Sequence, residues 1–206
     1  LDTSSVTDMN YMFYDATAFN HPLALDSSSV TAMGHMFEVT GTSVFDQTLA
    51  FDTGSVTTTA SMFAGAIAFD QTLAFDLSSV NDMQGMFYDA EAFNRPVAFD
   101  TSKVTTMEAT FQDAIAFNQP LALDTSSVTH MGYMFYDAEA FNQPVAFDTG
   151  SSTTTGNMFR LTDVFDQPLS FDTGSVTYMG FMFNDAIAFD QPLAFDTGSV
   201  TTTAWM

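Results

Sequence analysis

The sequence predicts a repeat solenoid of about eight 24-residue coils, each a short parallel strand followed by a turn or two of helix or 3₁₀. Three observations carry this. The motif phenylalanine returns at Phe19, Phe45, Phe69, Phe93, Phe117, Phe141, Phe165 and Phe189, a step of 24 residues broken once by a step of 26. An aspartate opens each coil, at Asp2, Asp26, Asp52, Asp76, Asp100, Asp124, Asp148, Asp172 and Asp196. All of the 23 phenylalanines except Phe181 fall in three columns, and all 14 methionines lie seven or ten residues after the aspartate. The regularity therefore lies between coils rather than along a sustained helix or hairpin. Residues 1–206 read as one continuous array that starts and stops inside a repeat, at LDTSSV and TTTAWM, and so as a segment of a longer protein whose caps and export signal lie elsewhere.

Positions within a coil are counted here from its aspartate. "Asp-Thr-Ser/Gly-Ser" has turn chemistry, because Asp and Ser hydrogen-bond nearby amides and Gly permits a positive φ. Val follows at position four, with Ser152 as the exception. "Met-x-x-Met-Phe-x-x-Ala" has spacings of three and four, compatible with helix or 3₁₀ and with Met and Phe turned to the core. After the motif Phe, "Leu-x-Phe" alternates as a strand would, and stacked coils would pair these strands in a parallel ladder about 4.8 Å apart. The proline before it (Pro22, Pro96, Pro120, Pro144, Pro168, Pro192) suits a strand start, where a missing amide costs little.

Composition excludes several classes of function. Three basic residues (Arg95, Lys103, Arg160) against 25 acidic ones give a net charge of −22, which repels a phosphate backbone or an anionic membrane and favours divalent cations or basic partners. No uninterrupted apolar run approaches the roughly 18 residues of a membrane span, and zero cysteines remove any disulfide framework. His21, His35 and His130 occupy different columns or distant coils, and neither a nucleophile elbow nor a phosphate-binding glycine loop occurs. A non-enzymatic protein is expected.

"DTSSVTDMNYMFYDATAFN" (Asp2 to Asn20) and "DTSSVTHMGYMFYDAEAFN" (Asp124 to Asn142) resemble the BspA-like leucine-rich repeats of bacterial surface antigens and mycoplasma lipoproteins. The resemblance covers the whole chain, with Phe or Leu (Phe51, Leu123) where those repeats carry Trp. It implies a parallel β-solenoid of leucine-rich-repeat type, displayed at the cell surface or secreted, and used in assembly or adhesion. No catalytic residue comes with it, because the shared motif is core and turn.

Two sets of residues are candidate sites. The aspartate column (Asp2, Asp26, Asp52, Asp76, Asp100, Asp124, Asp148, Asp172, Asp196) would align carboxylates along the stack. Each caps its own turn, or neighbours share calcium, which needs six to eight oxygens at about 2.4 Å. Position nine varies most: Tyr11, His35, Ser61, Gly85, Ala109, Tyr133, Asn157, Phe181, Trp205. That variability marks either solvent tolerance or a partner face, for which Tyr11, His35, Tyr133, Phe181 and Trp205 are the binding candidates. A further column alternates Asn and Asp after the motif Phe and suggests a shared acceptor oxygen serving the next coil. The expected role is a structural, self-assembling fibre, sheath or stalk joined through its coil ends, or alternatively an adhesin for a host, matrix or carbohydrate ligand. Ice binding through the Thr column is a weaker third reading.

Overall fold

The computed structural model describes residues 2–206, which stack coil upon coil in the register set by the 24-residue step. Parallel bridges join position six of every coil to the next, from Asp8↔Ala32 and Ala32↔Thr58 through to Tyr178↔Thr202. Among the described residues there is no helix and no extended strand, and no helix is long and apolar enough to cross a membrane.

The expected helical or 3₁₀ turn is replaced by a different device. Between positions seven and fourteen alternate amides point in two directions. Met9, Tyr11, Phe13 and Asp15 donate along the stack to the carbonyls of Ala32, Gly34, Met36 and Glu38 at 2.7–3.1 Å. The intervening Met12, Tyr14 and Ala16 donate back three residues, to Met9, Tyr11 and Phe13. A helix cannot propagate through this pattern because positions nine and thirteen are left-handed, for example φ 60° at Tyr11 and 55° at Asp15. Each reversal turns an amide from its own coil toward the next, so donors are satisfied without a regular element.

The expected strand at "Leu-x-Phe" is also absent, with one bridge there, Val97↔Leu121. In that part of the coil side chains make the link instead. Oδ1 of Asn20 accepts the Asp46 amide at 3.0 Å and the Gln47 side-chain amide at 2.8 Å. The same pair of bonds recurs on Asp46, Asn94, Asn118, Asn142 and Asp166. Asn and Asp interchange because the column uses one acceptor oxygen. The buried hydroxyls of Thr53, Thr101, Thr125, Thr149 and Thr173 likewise donate to the next coil's aspartate carbonyl at 2.8–2.9 Å.

The three Phe columns line the core. Rings of one column in successive coils lie 5.4–6.4 Å apart, and within a coil the rings at positions eleven and seventeen approach to 4.1–4.5 Å. From Phe63 to Phe165 both columns are fully buried. Each ring contributes about 1.5–3 kcal/mol by burial and about 0.5–1.5 kcal/mol more by stacking.

The longer second coil disturbs this order locally. The hydroxyl and amide of Thr40 bond back to Asp15 Oδ1 at 2.9 and 3.1 Å, and Val39, at position thirteen, is not left-handed. The next coil answers with Gly65 at φ 68°, where an added Cβ would collide with the Val39 carbonyl. At Gly85, also left-handed at φ 58°, an added Cβ would meet the Ser61 hydroxyl at 3.3 Å and the Tyr88 Cβ at 3.6 Å. Gly65→Ala is therefore expected to lose about 2 kcal/mol or more, from the left-handed penalty plus the clash. Gly85→Asn should change stability by less than about 1 kcal/mol, because Asn tolerates this conformation and Asn157 already holds the equivalent position. Urea denaturation of both variants checks this, and equal losses would count against the coupling of Gly65 to the longer coil.

Candidate functional site

The variable position nine has a backbone explanation. It is left-handed in every coil, with φ 51–60° at Tyr11, His35, Ser61, Gly85, Ala109, Tyr133, Asn157, Phe181 and Trp205. What is constant in this column is a conformation, and the side chain is free to differ. Asn157 and Gly85 are buried there, whereas Tyr11, Tyr133 and Trp205 are exposed by 53%, 38% and 72%. The candidates group in pairs along the stack. Tyr11 lies flat on His35 with centroids 4.5 Å apart, Phe181 faces Trp205 at 6.5 Å, and Tyr133 stands apart, tilted against Tyr136 at 5.9 Å. His35 Nδ1 also meets the Glu38 carboxylate.

The rest of the aromatic side chains on this edge were missed. Counted by position, the six tyrosines lie at six (Tyr178), nine (Tyr11, Tyr133) and twelve (Tyr14, Tyr88, Tyr136), and none is in the core. The single Trp shares position nine. The Tyr178 ring fills the space where Cβ atoms on Gly156 and Gly180 would sit, so the missing side chains of these glycines make room for it. Arg160, at position twelve, holds its guanidinium 5.6 Å from the Tyr136 ring centroid and 5.3 Å from that of Phe181. It makes no ion pair among the described residues, its Nη1 donates a long hydrogen bond to Asn157 Oδ1 at 3.5 Å, and its buried Nε has no hydrogen-bond partner. The edge thus holds a cation by ring faces in a chain rich in carboxylates. The signal was present in "FYDA" at three coils, where Tyr precedes an Asp at a fixed place.

Two aspartate columns behave in opposite ways. The opening column is exposed, and each carboxylate is used by its own turn. Asp2 Oδ1 accepts the Ser4 hydroxyl at 2.8 Å and its amide at 3.2 Å, and the arrangement recurs at Asp26, Asp100 and Asp124. At Asp52, Asp148, Asp172 and Asp196 a glycine amide donates alone. Serine hydroxyls, then amides, hold Asp2, Asp26, Asp76, Asp100 and Asp124 below the usual carboxylate range. Among the described residues no group of three or more His, Cys, Asp or Glu is arranged to hold a metal ion. The Thr hydroxyls at position five are also occupied, donating to the preceding coil's carbonyl, as Thr31 does to Thr7 and Thr129 to Thr105.

The second column, at position thirteen, flanks the aromatic edge with Asp89, Asp113 and Asp137 half-buried in consecutive coils. Burial pushes Asp113 up to about 6, partly offset by the hydrogen bond from Gln112 and reinforced to a smaller degree by the charges of Asp137 and Asp89. Burial raises Asp89 and Asp137 as well, each helped by a neighbouring carboxylate.

These shifts have opposite consequences for stability. A raised carboxyl favours the fold while protonated, so its contribution is whole below the ordinary value of 3.8 and is lost as pH rises through about 6. The lowered turn aspartates stabilise above their ordinary value and lose that contribution as pH falls. Thermal melts of Asp113→Asn should match the parent near pH 4 and exceed it at pH 7, with a flatter decline between. A variant that declines as steeply as the parent would show that Asp113 is not the titrating group.

No curated protein and no solved structure matches the chain. One family model does, in four overlapping stretches over residues 1–98, 24–122, 72–169 and 145–206. These overlaps follow the tandem repeat and together span the array, and the chain belongs to the family described as "Mycoplasma protein of unknown function, DUF285".

Proposed function

We propose that this chain is a non-enzymatic, extracellular or cell-surface repeat protein acting as an adhesin-type module, a stiff stack that presents one aromatic edge to a macromolecular partner. The observation that carries this is the placement of every tyrosine and the tryptophan at positions six, nine and twelve. Tyrosine and tryptophan supply large contact area at little conformational entropy and are enriched in interface cores. Within this reading the stack is a parallel solenoid of leucine-rich-repeat type akin to the BspA-like repeats. The 24-residue step and the parallel bridges at position six support that assignment.

A self-assembling fibre, sheath or stalk is the second reading, favoured by the close similarity of successive coils, each of which stacks on the next in the same register.

The test is binding of the purified chain to immobilised matrix proteins and polysaccharides, beside a variant with Tyr11, Tyr14, Tyr88, Tyr133 and Tyr136 changed to Ser. The parent should bind at least one surface and the variant should lose about tenfold or more in affinity while keeping its circular dichroism. Undiminished binding by the variant would sink the adhesin reading. Ordered filaments of the parent by electron microscopy, with no binding to any surface, would favour the fibre.

A further inference from the structure

The Arg160 arrangement defines a site type that can be sought along the stack by register. Its walls are position twelve of one coil (Tyr136) and position nine of the coil two further on (Phe181), and its floor is position twelve of the coil between (Arg160). The same three positions elsewhere give Tyr14, Glu38 and Ser61; Glu38, Ala64 and Gly85; Ala64, Tyr88 and Ala109; Gln112, Tyr136 and Asn157; and Arg160, Asn184 and Trp205, none with two aromatic walls. One other notch has both: Tyr88 and Tyr133, with Gln112 as its floor, displaced by 48 residues from the first.

The two notches differ in what fills them. In the first, the chain's own guanidinium lies against both rings, and the carboxylate column beside it is broken by Leu161. In the second, the floor is a short neutral amide that turns aside to donate to Asp113 Oδ2 at 3.1 Å. The column beside it is unbroken, Asp89, Asp113 and Asp137. Burial, then the charges of Asp113 and Asp89, raises the Tyr88 hydroxyl as well. By register, Tyr88 and Tyr133 thus flank the Gln112 position beside three carboxylates, on a protein of net charge −22.

We propose that the notch between Tyr88 and Tyr133 receives an arginine side chain from a basic protein partner, its guanidinium set against the rings as Arg160 is against Tyr136 and Phe181. Arginine fits better than lysine because a planar guanidinium stacks on ring faces while its edge donates to carboxylates, whereas an ammonium is a strongly hydrated point charge. The proposal rests on reading the aromatic edge as an interaction face and names the chemistry of one partner group.

The test is a nuclear magnetic resonance titration of the whole chain at low salt with the peptide acetyl-GRGGRG-amide and its lysine counterpart. Ring signals are assigned by single Tyr→Phe variants. The arginine peptide should shift the Tyr88 and Tyr133 rings more than those of Tyr11 and Tyr14, and should bind about fivefold tighter than the lysine peptide. Gln112→Arg, which fills the notch from within, should abolish those shifts, while Ala98→Arg adds the same charge at an outward position away from the edge and should preserve them. Tyr133→Leu provides a second, charge-neutral variant that should weaken binding if Gln112→Arg fails to fold. Equal shifts for both peptides, shifts spread over all tyrosines, no shift at all, or a Gln112→Arg protein that binds as the parent does would each overturn the proposal. If the edge still binds a matrix surface while the arginine peptide fails here, the notch proposal falls alone.

Discussion

The alternation of amide direction between positions seven and fourteen is the constraint on which the rest of this molecule depends. Because every second amide is committed to the coil ahead, a coil cannot slide by one residue without reversing which groups face the stack and which face itself. That lock brings Phe87 over Phe111 and Phe111 over Phe135 at 5.5 and 5.8 Å. It also sets Asn94 Oδ1 opposite the Asn118 amide. Ring stacking and the side-chain ladder add stability to a register that the backbone has already chosen. The left-handed residues are the means, since each returns the chain to its course after one amide has been turned outward.

What was legible in the sequence was chemistry that recurs by residue type. The Phe columns, the shared acceptor at the Asn/Asp position and the turn chemistry of "Asp-Thr-Ser" all read correctly because one functional group at one position does one job. What was illegible was conformation carried by residues of no common type. Tyr11, His35, Ser61, Ala109 and Trp205 share a positive φ and nothing else, so the column looked like surface tolerance. Spacings of three and four at "Met-x-x-Met-Phe" suggested helix, and bonds back three residues do exist there, but the reversals at positions nine and thirteen interrupt any helix. The parallel ladder expected at "Leu-x-Phe" lies instead at position six. The prolines there lack an amide, and Asn and Gln side chains supply much of the inter-coil bonding.

The two aspartate columns show why a repeated carboxylate cannot be judged by its period. The opening aspartates draw attention because all coils keep them, yet each is fully engaged by a serine or glycine one turn away and open to water. The aspartates at position thirteen are fewer, interrupted by Val39, Gly65 and Leu161, and at Asp89, Asp113 and Asp137 burial, then neighbouring carboxylates, oppose ionisation. Repulsion along the stack is therefore small in the regular column and consequential in the irregular one. The difference is solvent, since charge interactions weaken sharply in a high dielectric.

The same reasoning bears on where a stacked chain can carry a site. A core residue touches the coils on both sides, so replacing Phe111 disturbs Phe87 and Phe135 together. Bulky variation is thus tolerated where side chains leave the stack, as at positions six, nine and twelve. At position nine the cheapest residues are Gly and Asn, as Gly85 and Asn157 illustrate, because bulky residues in the left-handed region carry a penalty of about 1–2 kcal/mol. Tyr11 with His35, and Phe181 with Trp205, recover part of it by stacking on a neighbour in the same column. Tyr133 has Ala109 and Asn157 as its column neighbours and only a tilted contact with Tyr136. Tyr133 thus lacks the stacking partner within its column that Tyr11 and Phe181 have. A large ring kept at a left-handed, solvent-facing position is the arrangement expected where compensation comes from a bound partner.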